Sequence, residues 1–471
     1  MDGSEAAALA VDRGPAIASF VGYLALIVAI GVWAARFSSA GVAEFFVGGR
    51  RMHRFVVALS AVVSGRSAWL ILGVVGLTYQ RGASAVWAVV GYIVVELFLF
   101  LYFARRLRRF AEVHDCVTVP DVFAARFGDR SGALRLTLAA VFLLFIVGYV
   151  AGQFVAGGKA FATGFGLDPT AGILLTAGIV LAYTVLGGFL AVSVTDVVQA
   201  LFMIVALVVV PAVAISLEGG LGVLAAGLAA LDPALVDPTA LGFGALLGFL
   251  GIGLGSPGNP HILARYLSIR NAEELRTAAV VGTLWNVVMA WGALFAGLAG
   301  RLWVPDPAAL PAGDVENLYP FLASQVLPSW LFGLVIAAIF AAIMSTTDSQ
   351  LLVAASAVVR DVYEKVLHRS EEVPQRRLVL LSRAVVLALV VLSVLMGFYA
   401  EQVVFWLVLF SWAGLGASLG PTSILALYWR GTTRAGVLAG LVAGAATVVV
   451  WKLTPALSGR LYELVPGFLA G

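Results

Sequence analysis

Long runs of apolar positions, broken by short polar segments, dominate the chain. Runs of spanning length fall at 16–36, 55–80, 84–104, 133–163, 170–190, 196–217, 239–258, 276–303, 331–357, 378–399, 403–429 and 435–454, because a helix of about 20 residues crosses a hydrocarbon core. A bilayer offers no water to backbone amides, so each run predicts an α-helix whose hydrogen bonds close internally. Several runs exceed the spanning length and predict tilt or extension beyond the bilayer. The expected fold is all-α, polytopic, with about 12 transmembrane helices in one domain over 1–471. No soluble domain, low-complexity tract or separating linker interrupts it.

Two runs are broken by their own residues. The run at 55–80 contains Ser60-Ala61-Val62-Val63-Ser64-Gly65-Arg66-Ser67-Ala68-Trp69, polar and glycine-bearing near its middle. The run at 239–258 leads through Gly251-Ile252-Gly253-Leu254-Gly255-Ser256-Pro257-Gly258-Asn259-Pro260, where glycine adds backbone freedom and proline removes a donor. The two lie five spans apart. If spans two to six and seven to eleven are structural repeats, about 55–217 and 239–429, each repeat opens on its broken helix. Paired interruptions at equivalent positions point to a central transport site. The alternative for the glycines is close helix packing, which accounts for Gly436, Gly440 and Gly444 in the last span.

A polar face follows on the ninth span. In Ala341-Ala342-Ile343-Met344-Ser345-Thr346-Thr347-Asp348-Ser349-Gln350, helical periodicity puts Ala342, Ser345, Thr346 and Ser349 on one face with Asp348 at its flank. Hydroxyl and carboxylate oxygens facing freed carbonyls suit a hard cation. The competing expectation is that each hydroxyl bonds back to the preceding turn of its own helix.

Composition removes the soluble classes. Apolar residues make up 61% and charged residues 12%, with a mean hydropathy of +1.02, against about half and a quarter in soluble domains. A net charge of +3 does not mark a nucleic-acid partner, because the basic residues sit in short loops. The lone Cys116 excludes an internal disulfide and a CxxC motif. The first residues carry Asp2, Glu5, Asp12 and Arg13 without a basic leader, so the first run is expected to be a retained helix. With the N-terminus outside, about 20 Lys and Arg fall in inner loops, Arg36, Arg50, Arg108 and Arg265 among them, and about five outside. Arg66, Glu96, Lys159, Asp196, Asp348 and Arg383 fall at membrane depth, where charge faces a partner, a cavity or a path. Glu96, Lys159 and Arg383 fit snorkelling at an interface equally well.

The same segments resemble the sodium:solute symporter family, the bacterial sodium/proline symporters most of all. The matching stretches are Phe46-Val47-Gly48-Gly49-Arg50, Ala58-Leu59-Ser60-Ala61, Pro120-Asp121-Val122-Phe123 and Gly187-Gly188-Phe189-Leu190-Ala191-Val192-Ser193 to Thr195-Asp196. Pro260-His261-Ile262-Leu263-Ala264-Arg265, Met344-Ser345-Thr346 with Gln350-Leu351-Leu352-Val353, and Trp412-Ala413-Gly414 to Gly420-Pro421 complete them. The resemblance implies the five-plus-five inverted-repeat fold of the leucine transporter, an extra helix before it, and alternating access driven by inward sodium movement. It implies a main sodium site on carbonyls of Val63, Arg66 and Ala342 with hydroxyls of Ser345 and Thr346. A second site would fall on Asp196, Ser345, Asp348 and Ser349. The solute would lie between the breaks, near Gly65, Arg66, Ser67, Trp69, Tyr149, Gln153, Ile252 and Ser256.

Three departures accompany the resemblance. The proline symporters carry aspartate at the position of Gly65 and methionine at that of Arg66. A guanidinium stays charged, so beside a sodium site it must point away or pair with Asp196 or Asp348. It would otherwise replace the cation, or clamp a solute carboxylate in a bidentate grip. Aromatic residues of the proline pocket are replaced by Ile252 and Ser256, and the chain ends at Gly471 where the relatives have a further helix beginning near Leu461.

The expected activity is secondary active symport of a small organic solute, an amino acid such as proline or another carboxylate, with sodium as coupling ion. A proton or no ion is the variant that Arg66 leaves open. A transporter-fold sensor is the alternative class. A channel filter and an enzyme's nucleophile–base set are both missing from the sequence, and an obligate protein partner is not implied. The bacterial inner membrane is the expected location.

Overall fold

The computed structural model describes residues 12–35, 46, 48–369, 372–399 and 404–471. Arg36 and Val47, which the sequence reading used, lie outside them. Among the described residues there is no strand, and one isolated parallel bridge joins Met52 to Ile269. The principal helices are α1 (Arg13–Ala35), α2 (Arg54–Ser64), α3 (Val75–Arg81), α4 (Val86–Phe98), α5 (Ala133–Phe165), α6 (Pro169–Glu218) and α7 (Phe243–Gly251). They continue as α8 (Pro260–Ser268), α9 (Leu275–Trp303), α10 (Ser329–Ser356), α11 (Gln375–Tyr399), α12 (Val404–Tyr428), α13 (Arg434–Leu453) and α14 (Leu464–Ala470).

The twelve runs do not reappear as twelve separate helices. Among the described residues, nine helices are long and apolar enough to cross a membrane. One of them, Arg54–Val113, holds the expected runs at 55–80 and 84–104, and it breaks at Gly82 (φ 62°, ψ −145°). The runs at 170–190 and 239–258 fall in the shorter apolar helices Pro169–Val185 and Phe243–Gly258. Helix α6 bends at Gly188 (φ 60°, ψ −176°), a conformation open only to glycine.

Burial separates an inner from an outer ring. In α10 and α12, 83% and 89% of the most apolar window is buried, against 28% in both α1 and α13. The outer helices turn Val21, Val28, Leu387, Val391 and Val450 outward, which is the pattern of lipid-facing walls. The inner helices carry hydroxyls, glycines and ionisable groups, so the polar chemistry sits where the apolar jacket excludes lipid. Loops that the charge count assigned to one side do meet. Arg109 Nη2 lies 2.6 Å from Glu273 Oε1, and Arg108 donates from Nε to the Ile269 carbonyl at 2.9 Å.

Helix α5 is pinned at both ends. Near one end Arg135 pairs with Asp361 and, at 2.7 Å, with Asp121. Near the other, Lys159 lies 2.6 Å from Asp314 Oδ2 and 2.5 Å from Glu316 Oε2. Glu316 also accepts the backbone N–H groups of Val404 and Phe405 at 2.9 and 2.7 Å, so it caps the first described turn of α12, where a carboxylate is favoured. Lys159 is therefore paired rather than snorkelling.

Candidate functional site

Both predicted interruptions are present. Helix α2 ends at Ser64, and Gly65 closes it by donating to the carbonyls of Val62 and Val63. Ser67 then takes φ 48°, a left-handed conformation that a non-glycine residue adopts only under constraint. Its hydroxyl accepts the Trp69 N–H at 3.1 Å, and a π-helical turn, Trp69–Val74, leads into α3. In the other break, α7 tightens into the 3-10 turn Ile252–Gly258, Asn259 is extended (φ −91°, ψ 106°), and Pro260 starts α8.

Packing and breakage prove to be one device in that second segment. A Cβ on Gly253 would overlap the Gly91 carbonyl, one on Gly255 the Trp412 indole, and one on Gly258 the backbone of Gly416. The glycines let α4 and α12 reach the backbone of the turn, and the prolines keep that backbone open.

The hydroxyl face of α10 meets the end of α2. Thr346 donates to the Ser64 carbonyl at 2.9 Å, and Ser345 Oγ lies 3.5 Å from the Val63 carbonyl and 3.2 Å from that of Ala342. All three α10 residues are fully buried. Four of the five expected main-site positions are thus brought together as an oxygen cluster between two helices, a donor set that fits sodium. The Arg66 carbonyl is less free, since it accepts the Leu70 N–H at 3.1 Å. Back-bonding occurs alongside: Thr347 reaches the Ile343 carbonyl at 2.7 Å and Ser349 that of Ser345 at 2.7 Å.

Arg66 does not pair with Asp196 or Asp348. Its guanidinium pairs with Glu96, donates from Nε to Asn286 Oδ1 at 2.8 Å, and lies 3.7 Å above the Tyr92 ring. Asn286 closes the ring by donating to Glu96 Oε2 at 2.6 Å. Arg66 and Glu96 are both buried, at 1% and 2% exposure, so Glu96 is an internal counter-ion and not a snorkelling residue. The physical reason is charge matching: an isolated guanidinium in a dry interior takes the nearest carboxylate. Arg66 as a surrogate for the coupling ion loses its support.

Asp196 is paired elsewhere. Its Oδ2 accepts from Ser60 at 2.6 Å and lies 3.2 Å from Arg265 Nη2. Asp348, also fully buried, has its Oδ1 3.1 Å from the Ser349 hydroxyl oxygen. Arg265, which the charge count placed in an inner loop, is 1% exposed inside the bundle. The signal for it was its position five residues beyond Pro260, on a helix that the break had already drawn inward.

Five of the eight expected solute positions, Gly65, Arg66, Trp69, Tyr149 and Ile252, line a cavity of about 10 Å³ together with Val408, Leu409 and Trp412, while Ser67 and Gln153 stand outside its lining. Tyr149 Oη lies 3.5 Å from Ser67 Oγ, and Gln153 Oε1 accepts the Ala68 N–H at 3.1 Å. Ser256 is buried but does not line the cavity. Val408, Leu409 and Trp412 were missed as site residues. Trp412 carried a motif signal, and its indole donates to the Ile252 carbonyl at 2.8 Å. Such a space holds about one water, so a larger occupant needs these walls to move apart.

Comparison with known proteins fits this geometry. The sequence pattern of the sodium:solute symporter family matches residues 45–444. The chain is 36% identical over 437 residues to the high-affinity proline transporter PutP of Bacillus subtilis, covering 92% of this chain and 91% of that protein. It is 36% identical over 463 residues to a sodium/proline symporter of Staphylococcus aureus, covering 95% and 89%. Among solved structures, a sodium-coupled sialic acid symporter in a substrate-bound outward-open state superposes with a TM-score of 0.81 at 21% identity, covering 97% of this chain and 95% of that one. That likeness carries the fold, an all-helical five-plus-five inverted repeat. Sequence, broken helices and fold agree, and the chain belongs to the sodium:solute symporter family.

Proposed function

We propose that this chain is a sodium-coupled symporter for an amino acid of about proline's size, working by alternating access in a bacterial inner membrane with its N-terminus outside. One transporter domain covers 1–471, with a leading helix at 16–36, repeats over about 55–217 and 239–429, and a last helix at 435–454. The observation that carries this is the meeting of the Ser345 and Thr346 hydroxyls with the Val63 and Ser64 carbonyls at the α2 break. Sodium entering there would bridge α10 to the broken helix and order the backbone against which the solute rests. The nearby Trp69, Tyr149 and Trp412 offer apolar faces to a pyrrolidine ring, and the two relatives are named for proline.

The test is uptake of labelled proline into proteoliposomes under an inward sodium gradient. Ser345→Ala with Thr346→Ala should remove sodium stimulation, a loss of at least about tenfold in apparent sodium affinity, or ~1.4 kcal/mol. Stimulation equal to the unsubstituted protein would refute the ion assignment. A chain stimulated by sodium toward other amino acids but not proline would refute the solute alone.

A further inference from the structure

The cavity beside the α2 break has a polar end made of donors. Arg66, 1% exposed on its wall, carries a guanidinium with five N–H donors and no acceptor. Its Nε is spent on Asn286 Oδ1 at 2.8 Å, Nη2 pairs with Glu96, and Nη1 reaches the Gly65 carbonyl at 3.4 Å. Two of the five N–H groups are left without an acceptor among the described residues. The Tyr92 ring, 3.7 Å from the guanidinium carbon, and the Asn286–Glu96 bond at 2.6 Å hold the group in one plane. Trp69, 4% exposed on the same wall, adds a further donor, since its indole N–H has no hydrogen-bond partner among the described residues. Stacking on Phe405 at 5.8 Å and an edge contact with Tyr92 at 5.8 Å keep that ring from turning in search of one.

The rest of the lining does not answer these donors. Ile252, Val408 and Leu409 are apolar, and the Trp412 indole N–H is itself a donor, already spent on the Ile252 carbonyl at 2.8 Å. Tyr149 carries the one side-chain oxygen of the lining, and that hydroxyl lies 3.5 Å from Ser67 Oγ. Unpaired donors in a dry interior are costly, and a ligand that brings acceptors relieves them. A carboxylate is acceptor-only, and its two oxygens suit a guanidinium edge and an indole N–H. An ammonium or secondary amine would bring donors to a wall that already has too many. Glu96 does not serve it, because its oxygens are engaged by Arg66 and Asn286.

We propose that Arg66 and the Trp69 indole N–H hold the carboxylate of the solute, and that the solute's amino group is not required. The substrate class is then compact monocarboxylates with an apolar body, of which proline is one. The inference rests on the solute cavity of the reading above and names what that cavity selects.

The experiment compares four small molecules. Dissociation constants are read from the thermal midpoint of the purified full-length protein, titrated in sodium and in choline with proline, cyclopentanecarboxylate, prolinamide and pyrrolidine. In sodium the two carboxylates should bind within about tenfold of each other, and prolinamide and pyrrolidine at least about a hundredfold more weakly. Trp69→Phe keeps an aromatic ring without the N–H, and should weaken both carboxylates about tenfold while leaving pyrrolidine unchanged. Arg66→Met with Glu96→Gln removes the ion pair as a unit and should abolish the preference for carboxylates. If that double variant does not fold, the ranking in the parent and in Trp69→Phe decides. Prolinamide binding as tightly as proline would overturn the proposal, as would cyclopentanecarboxylate failing to bind or a carboxylate preference untouched by Trp69→Phe. The expected ranking with equal affinities in sodium and choline would instead overturn the sodium-coupled reading and leave this assignment standing.

Discussion

Single residues decide which charges are available for transport. Arg66 is held by Glu96, Asn286 and Tyr92, and a buried ion pair punishes the loss of one partner far more than the loss of both. Glu96→Gln should therefore lower unfolding stability by about 3–5 kcal/mol, read as a depressed thermal midpoint in detergent. Arg66→Met added to it should restore most of the loss. Simple addition of the two losses would show that the pair is not a unit. Cys116 makes a second case. It is 2% exposed in the loop before residue 119, and burial pushes its thiol up to about 12. The thiolate is the reactive form, so at pH 8 only about one thiol in ten thousand would be ionised. Maleimide labelling should stay negligible until the protein is unfolded; rapid labelling of the folded protein would contradict the burial.

At the scale of the elements, the breaks were legible because their causes are local. Glycine, proline and hydroxyl clusters announce an opened backbone, and Ser64–Trp69 and Gly251–Pro260 both open where the sequence says. The hydroxyl face of α10 followed from helical spacing alone. What each charge pairs with was not legible, because the partners lie far along the chain: 190 residues separate Asn286 from Glu96, and 220 separate it from Arg66. Arg265 was misread for a related reason, as a basic residue near a loop signals sidedness until a bend carries it into the core. Val408 and Leu409 were missed because apolar residues on an apolar helix carry no contrast, and Trp412, though in a matching stretch, carried no sign of what it faces. These contacts make a sharp prediction. Gly255→Ala sets a methyl against the Trp412 indole and must displace α12 from the turn. Transport should fall at least tenfold with a lowered thermal midpoint, and Trp412→Phe in the same chain should recover part of both. Wild-type behaviour of Gly255→Ala would show that this contact is loose.

For the whole molecule, the inner helices form an oxygen-lined centre inside an apolar jacket, and α5 ties that centre to both surfaces. Arg135 and Lys159 stand 24 positions apart, about 36 Å of helix, and each holds two carboxylates from other segments. At the Arg135 end, burial raises Asp121 but the guanidinium outweighs it and keeps the carboxyl below its usual range. Tyr149, on the wall of the central cavity, lies between these two ties along α5. The sidedness expected from the loops rests on their charge bias alone, and the order of conformational states leaves no mark in the chain, which encodes the contacts of each state without their sequence.

Coupling means that the ion and the solute strengthen each other's binding by the same factor. The direct measurement is sodium affinity of the purified protein at equilibrium, with and without saturating proline. The account predicts that proline tightens sodium binding by about 5–150-fold, that sodium tightens proline binding equally, and that both effects vanish in Ser345→Ala with Thr346→Ala. Sodium affinity indifferent to proline, in a protein that binds proline, would contradict it.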